Sequence, residues 1–403
     1  MSTEREIGIG IDIGKHRHTV VLRAGDGREL TAPFLLDDSR PGVECLLEAV
    51  GHAEEQLGGR ARVTVNMEAT GVFHIPLFSA LDPLYRVILW QPRQAKEATK
   101  KNIRRTKTDK RDCRTLALLH QNRQLTPPRT RYHDPLLVGA REVARVYYVL
   151  KDTRVNLSRR WTQEVFLANP GLDTAVDPSS RTGRRLLDVA PTPERLIERG
   201  ATGIRPLLDG RGRRVRVTPE VILQVAQETL RAPAHEAAAA LCQRSLRTVV
   251  DFLEERMAEL EKELWAAWQL LRGETVIQTF PSMGWFRALV LHAEFGGLRR
   301  FPTADAAVSF AGLENYVYHS GHKRVDGGMT KAGSPLIRRV IWELLGCPAT
   351  DLPRLTDYIG QKQRQGKHRS EALHAASKKL IRTLWAMDRD QRPYDSARAH
   401  ATR

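Results

Sequence analysis

Residues 6–13 read EIGIGIDI. Isoleucine at every second position marks a β-strand of period two, and Asp12 stands near its end. A carboxylate in an apolar strand is costly to bury unpaired, so this strand both opens a sheet and points to chemistry at its end. Gly14 and Lys15 turn the chain. His18–Arg23 (HTVVLR) predicts a second strand and Glu29–Leu36 a third, together an antiparallel meander. The grammar then changes. Asp38–Gly51 reads as a helix behind an Asp/Ser cap, Arg62–Glu68 (RVTVNME) as a strand, Val72–Leu81 as a helix and Tyr85–Trp90 (YRVILW) as a strand, before a long basic helical region.

Three strands followed by strands alternating with helices is the order of an RNase H-like (RuvC-like) mixed sheet covered by helices. The expected class is therefore α/β at the N-terminus and α beyond it. Residues 135–168 are helical in pattern, and Asn169-Pro170-Gly171 stops them. Residues 170–240 are rich in Arg, Gly and Pro, which suits small helices or an insert that touches nucleic acid. Leu246, Val250, Leu253, Met257, Leu260, Leu264 and Leu271 recur at steps of four and three, a heptad seam that predicts a coiled-coil hairpin or a dimer helix. The organisation expected is 1–134 as the RNase H-like catalytic domain and 135–274 as a helical linker with basic insert and coiled coil. A small, mostly helical domain follows at 275–388, and 389–403 form a polar tail.

The chain carries 64 Lys+Arg against 47 Asp+Glu, a net charge of +17 over 403 residues. That excess points to a polyanionic partner, nucleic acid before lipid, because no basic amphipathic anchor is evident. No run approaches a membrane span, and MSTEREIGIG lacks the basic and apolar regions of a signal peptide. Cys45, Cys113, Cys242 and Cys347 are widely spaced, so neither a disulfide framework nor a zinc site is expected; a reducing cytoplasm, with the protein on the nucleoid when DNA-bound, is the matching location.

Glu68 ends the fourth strand, as Asp12 nearly ends the first, and ligand groups of open α/β sheets gather at strand ends. Asp109 and Asp112, in TKTDKRDC, lie three apart on one helical face. Hard divalent cations take several oxygen ligands, and four such acids can supply them. From Arg93 to Arg114 ten Lys/Arg face only Glu97, Asp109 and Asp112, a setting suited to a phosphate backbone. Other readings stand beside this one. Asp109 and Asp112 can be a helix-start acid and an ion-pair partner. Asp12 also suits the phosphate loop of sugar kinases and actin-like ATPases, although no second Asp-Gly loop stands in a convincing place.

GIDIGK, MEATG and TKTDKRD, followed in order by FPSMG and by AGL…YHSG…TKAG, resemble the DEDD transposases of insertion-sequence family one-ten, the bridge-RNA-guided recombinases related to Piv invertases. The likeness covers roughly residues 6–165 and 275–395. It implies that Asp12, Glu68, Asp109 and Asp112 are a tetrad holding Mg²⁺ or Mn²⁺, and that Ser320 is the nucleophile of a C-terminal transposase domain. It further implies a structured bridge RNA pairing with donor and target DNA, and a homo-oligomer, dimer or tetramer, whose active sites combine the two domains. Two positions depart from the family pattern: Ser282 replaces the first Gly of a Pro-Gly-hydrophobic-Gly turn, and Cys113 stands where Ala is usual.

Around Ser320, HSGHKRVDGGMTKAG (319–333) is Gly-rich and reads as a mobile loop. His319, His322, Lys323 and Arg324 supply the cations that a serine attacking a phosphodiester requires; a solvated basic loop that only grips a backbone is the alternative. FPSMG with WFRALVLHAEFG suggests a helix-hairpin-helix-like unit offering N–H groups to phosphate. The expected nucleic-acid contacts are Lys100, Lys101, Arg104, Arg105, Lys107, Lys323, Arg324 and Lys331. Besides a transposase, a water-using nuclease of the junction-resolvase type and a non-catalytic binding protein fit the same residues.

Overall fold

A computed structural model describes residues 5–69, 71–92, 95, 109–122, 134–208, 217–320, 323–347 and 352–395. The chain forms two compact units, Met1–Tyr132 and His133–Arg403.

In the first unit, β1 (Glu6–Asp12), β2 (Arg17–Ala24), β3 (Phe34–Asp37), β4 (Arg62–Glu68) and β5 (Arg86–Trp90) form one sheet in the order β3-β2-β1-β4-β5. β2 runs antiparallel to β1 and β3, while β4 and β5 are parallel to β1. This mixed five-stranded sheet is consistent with the RNase H-like class. Alternation sorts its two faces. Ile7, Ile9, Ile11, Val63, Val65, Met67 and Leu89 point to one side and are buried with Leu46 and Val50 of α1 (Arg40–Gln56) and Leu77, Phe78 and Leu81 of α2 (Ile75–Leu81). Ser39 caps α1 through Gly42 N–H. The other face carries Gly8, Gly10 and Asp12 and receives α3 (Asp109–Ala117). The third strand is shorter than the expected Glu29–Leu36. Pro33 has no N–H to give a ladder, so pairing starts after it, with an isolated Arg23–Glu29 bridge upstream.

The second unit is mostly helical. α4 (Pro135–Ala168) runs antiparallel to α9 (Pro233–Leu271): Trp161 donates to Gln243, Arg154 meets Glu254, and Ala144 and Tyr148 share a core with Leu264 and Trp268. The apolar seam, expected to make a coiled-coil hairpin or a dimer helix, faces α4 of the same chain. Val250, Leu253, Leu264 and Leu271 are buried. Between these helices, α5 (Leu172–Ala175), α6 (Arg181–Val189), α7 (Pro193–Leu208) and α8 (Pro219–Glu228) build a small head with its own core of Leu172, Leu186, Leu196, Ile204 and Ile222 against Trp161. The opposite end of the helix pair belongs to a larger core with α10 (Gly284–Phe295), α11 (Ala304–Phe310), α12 (Pro335–Leu345), α13 (Pro353–Arg364) and α14 (Arg369–Asp390). Among the described residues no helix is long and apolar enough to cross a membrane.

Candidate active site

Asp12 and Glu68 come together through sheet register. Ile11 of β1 is paired with Met67 of parallel β4, so the next step sets Asp12 beside Glu68, on one face and about 4.8 Å apart between strands. Both are half-buried.

Glycine fixes what lies over them. A Cβ on Gly8 would meet the carbonyl oxygen of Ala117 at 2.0 Å, and one on Gly10 the carbonyl oxygen of Cys113 at 1.9 Å. The helix therefore rests directly on the strand backbone, and two strand residues match four helix residues. The spacings agree, about 6.7 Å along a strand and about 6.0 Å along a helix. Continued by one step, the same spacing runs from Asp12 toward position 109, the first residue of α3. Asp112 follows three residues on and is half-buried. The sheet-facing stripe of α3 is thus 109, 112, 113, 116 and 117, with Cys113, Leu116 and Ala117 buried. Helix and sheet are clamped from three sides. Arg23 donates to the Arg114 carbonyl at 3.1 Å, Arg114 forks onto Glu29 at 2.7 and 3.2 Å, and buried Asn66 sits beneath the helix end. Asn66 Nδ2 donates to Ala117 O at 3.1 Å and to His120 Nδ1 at 3.0 Å, while its Oδ1 accepts from Trp90 Nε1 at 3.0 Å. With Nδ1 accepting, His120 carries its proton on Nε2 and donates to Glu6 at 2.8 Å.

Among the described residues no group of three or more His, Cys, Asp and Glu side chains could hold a metal ion, and the side chain of Asp109 lies outside them. The nearby thiol of Cys113 is pushed up to about 11, first by burial, against the pull of Arg114 and with help from the Asp12 carboxylate. Asp12 and Glu68 offer carboxylate oxygen, the kind of donor that Mg²⁺ and Mn²⁺ select.

Ser320 is the last residue of β6 (Asn315–Ser320), paired with Lys323 at the start of β7 (Lys323–Met329). The stretch expected to be a mobile loop is a β-hairpin with a bulge between Asn315 and Val317. Its base is built from the two glycine motifs. Gly312 (φ +69°) and Gly333 stand so close that a Cβ on Gly312 would meet Gly333 N at 2.4 Å, and one on Gly333 the Phe310 carbonyl at 2.0 Å. Lys331, at φ +54°, donates its N–H to Gly312 O, and Arg338 binds the carbonyls of both Ala311 and Gly333. AGL and TKAG are thus two halves of one clasp under the hairpin. Buried Glu294 ties it inward, accepting from Ser334 at 2.7 Å and from Arg145 at 2.7 Å.

In FPSMG, Phe280 and Met283 are core residues. The turn leads into α10, but a single 3-10 turn, Ile277–Thr279, precedes it in place of the second helix of a helix-hairpin-helix. Lys100, Lys101, Arg104, Arg105 and Lys107 lie outside the described residues, as do the side chains of Asp109, Ser320, Lys323 and Arg324. Sequence reasoning missed Gly8, Gly10, Asn66 and Arg338. The glycines were visible in IGIGID, but only the helix packed on them explains them.

Two family models match the chain: a DEDD model described as a transposase over residues 9–168, and a transposase model of the IS116/IS110/IS902 family over residues 274–356. All four tetrad positions fall in the first match and Ser320 in the second. The chain is 26% identical over 413 residues to an insertion element IS116 protein of 44.8 kDa from Streptomyces clavuligerus, with 98% of each chain covered. It is 25% identical over 410 residues to an IS900 protein of 42 kDa from Mycobacterium paratuberculosis, covering 96% of this chain and 97% of that one. Both relatives are described as uncharacterized.

Proposed function

The chain belongs to the DEDD transposases of the IS110 family, insertion-element enzymes acting on DNA, and from that membership we propose that it cuts and rejoins DNA through a covalent phosphoserine on Ser320, served by an acidic tetrad of Asp12, Glu68, Asp109 and Asp112. One observation supports this reading: α3 is seated on Gly8 and Gly10, beside the strands whose ends carry Asp12 and Glu68. The four acids would hold Mg²⁺ or Mn²⁺. When bound, such a cation supplies charge neutralisation and Lewis-acid polarisation to a scissile phosphate.

The residues divide the remaining work. The Ser320 hydroxyl attacks phosphorus and gives up its proton; the Ser Oγ–P bond forms, the P–O3′ bond breaks, and the 3′ oxygen leaves as a hydroxyl. The phosphoserine keeps the energy of the broken diester, so rejoining needs no external source. Lys323, Arg324 and Lys331 neutralise the phosphate around Ser320, and Lys100, Lys101, Arg104, Arg105 and Lys107 grip nucleic-acid backbone beside the tetrad. The division of labour is 1–134 for cation chemistry, 135–274 as helical support and 275–388 for the nucleophile. A structured bridge RNA chooses donor and target DNA, and the enzyme acts as a multimer; the family likeness is the ground for both, and the net charge of +17 supports the nucleic-acid partner alone.

The test is a denaturing gel of labelled DNA with wild type, Ser320→Ala and Asp12→Asn. Wild type should give a shifted protein–DNA band mapping to Ser320, and the variants none while still binding DNA. A band that persists in Ser320→Ala would remove the serine. Efficient cutting with no band in any protein would favour a water-using nuclease. Purification with the flanking non-coding DNA present should bring down one defined RNA.

A further inference from the structure

We propose that the turn between α13 and α14, with the adjoining face of α14, is a docking track for the sugar-phosphate backbone of the DNA being recombined. From Lys362 to Arg382 the sequence holds seven Lys/Arg (362, 364, 367, 369, 378, 379, 382) against Glu371 alone, about a third of the chain's net charge in 21 residues. This stretch lies beyond both matched family regions.

The structure presents these charges outward. Arg364, Lys367, Arg369, Lys379 and Arg382 are exposed, and Gly366, at φ +84°, makes the tight turn that crowds Lys367 against the start of α14. Among the described residues, the carboxylate ion pair in this stretch joins Arg382 to Asp305; Lys362, Arg364, Lys367, Arg369, Lys378 and Lys379 have none. Lys362 and Lys379 both sit over the ring of Tyr358, at 5.4 and 4.9 Å from its centroid. A run of cations with so few carboxylate partners among the described residues is suited to a polyanion.

Position favours DNA as the occupant. Lys378 Nζ donates to Asn315 Oδ1 at 2.8 Å, and Asn315 is the first residue of the strand that ends at Ser320. Five strand residues span roughly 17 Å, which matches about ten phosphate charges along a duplex. A backbone lying on this face therefore meets the strand that carries Ser320 at its first residue. This assignment rests on the chain acting on DNA there.

The experiment compares wild type with a Lys362→Gln/Arg364→Gln/Lys367→Gln/Arg369→Gln variant. The probes are a random-sequence DNA duplex of about 30 base pairs and an RNA duplex of the same sequence, titrated at several salt concentrations. On DNA, the slope of log K against log salt should fall by about one unit per lost contact, three to four in total. A charge-keeping variant (Lys362→Arg/Arg364→Lys/Lys367→Arg/Arg369→Lys) should restore it, and melts should differ little, because Arg364, Lys367 and Arg369 are exposed and Lys362 gives up only its contacts with Tyr358 and Gln365. An unchanged slope on DNA, with wild-type binding intact, overturns the track and leaves the transposase reading standing. Loss confined to the RNA duplex assigns the face to RNA and also overturns it. Wild type showing no salt-dependent binding to DNA would bring down both.

Discussion

A methyl group on Gly10 would sit 1.9 Å from the carbonyl oxygen of Cys113, which cannot rotate away as a side chain can. Gly10→Ala must therefore lift α3 from the sheet, at a cost of about 3 kcal/mol, and draw position 109 away from Asp12. We expect loss of DNA cutting at temperatures where the fold survives. Gly51→Ala is the control: it lies within α1 with nothing inside 4 Å, and should stabilise by about 0.5–1 kcal/mol. Thermal melts beside cleavage assays check the pair, and a Gly10→Ala protein that cuts normally would show that α3 has another seat. Ser282 is the opposite case. It holds φ +58°, the left-handed region, in a turn where the family pattern has glycine. Ser282→Gly should raise stability by up to about 1 kcal/mol; a lower melting midpoint would mean that the serine's contacts outweigh its strain. At this scale the sequence was readable where a residue differs in kind from its surroundings. Asp12 in an isoleucine strand announces itself. Gly10 does not, because a strand pattern says nothing of which helix will descend on it. Asn66 looked like one polar residue in RVTVNME, and its role depends on Trp90, Ala117 and His120, which come from elsewhere in the fold.

Helix α4 was legible to its ends, since Asp134 accepts from Leu136 N–H, Pro135 opens it, and Asn169-Pro170 closes it. The heptad seam of α9 was legible as a seam, but the choice between a hairpin within the chain and a dimer helix was not. Period 3.5 reports that a stripe is apolar, and any helix of matching length covers it. Here the cover is α4, so Leu253→Asp should act on folding before assembly. It places a charge at a site only 7% exposed and should cost about 3 kcal/mol or more. Circular dichroism should show a lower melting midpoint at any protein concentration; an unchanged melt with a change only in oligomer size would return the seam to an intermolecular role. The Ser320 segment was misread for a related reason. Gly327 and Gly328 signal a loop when counted, yet a strand with a bulge tolerates glycine, and the pairing of Asn315 with Met329 lies too far along the chain for local propensity to reveal. The Arg- and Gly-rich insert had no clear period because its helices are short and Gly200 and Pro206 interrupt one of them.

Acid should weaken the second unit as a whole, and the direction follows from two histidines, His292 buried and His374 half-buried. His292 is 3% exposed, and burial holds its pKa below the usual 6.5 although Asp388 and Glu274 pull the other way. His374 is lowered too, first by burial and then by Lys378, while its hydrogen bond to Leu313 O opposes the shift. Both rings are neutral in the fold and take up protons more readily once unfolded. Their contribution to stability is therefore complete above about pH 6.5 and is lost as pH falls below it. The whole molecule adds to this trend: it already carries +17, and each of its 13 histidines that gains a proton increases self-repulsion. The polar network around His292 anchors two ends of the domain, since Asp388 of α14 accepts from Thr275 at 2.6 Å and from Val276 N–H at 3.4 Å. Opening it separates α14 from the segment that leads into FPSMG. We expect the melting midpoint to fall steadily from pH 7.5 to pH 5 and the fall to be shallower in His292→Gln. Melts at fixed ionic strength test this, because salt screens the general repulsion but leaves the buried ring's protonation in place. A wild-type midpoint that stays flat or rises toward pH 5 would show that the rings already bind protons in the folded state, held by Glu274 and Asp388. The same fall in His292→Gln as in wild type would shift the effect to His374 and the surface charge.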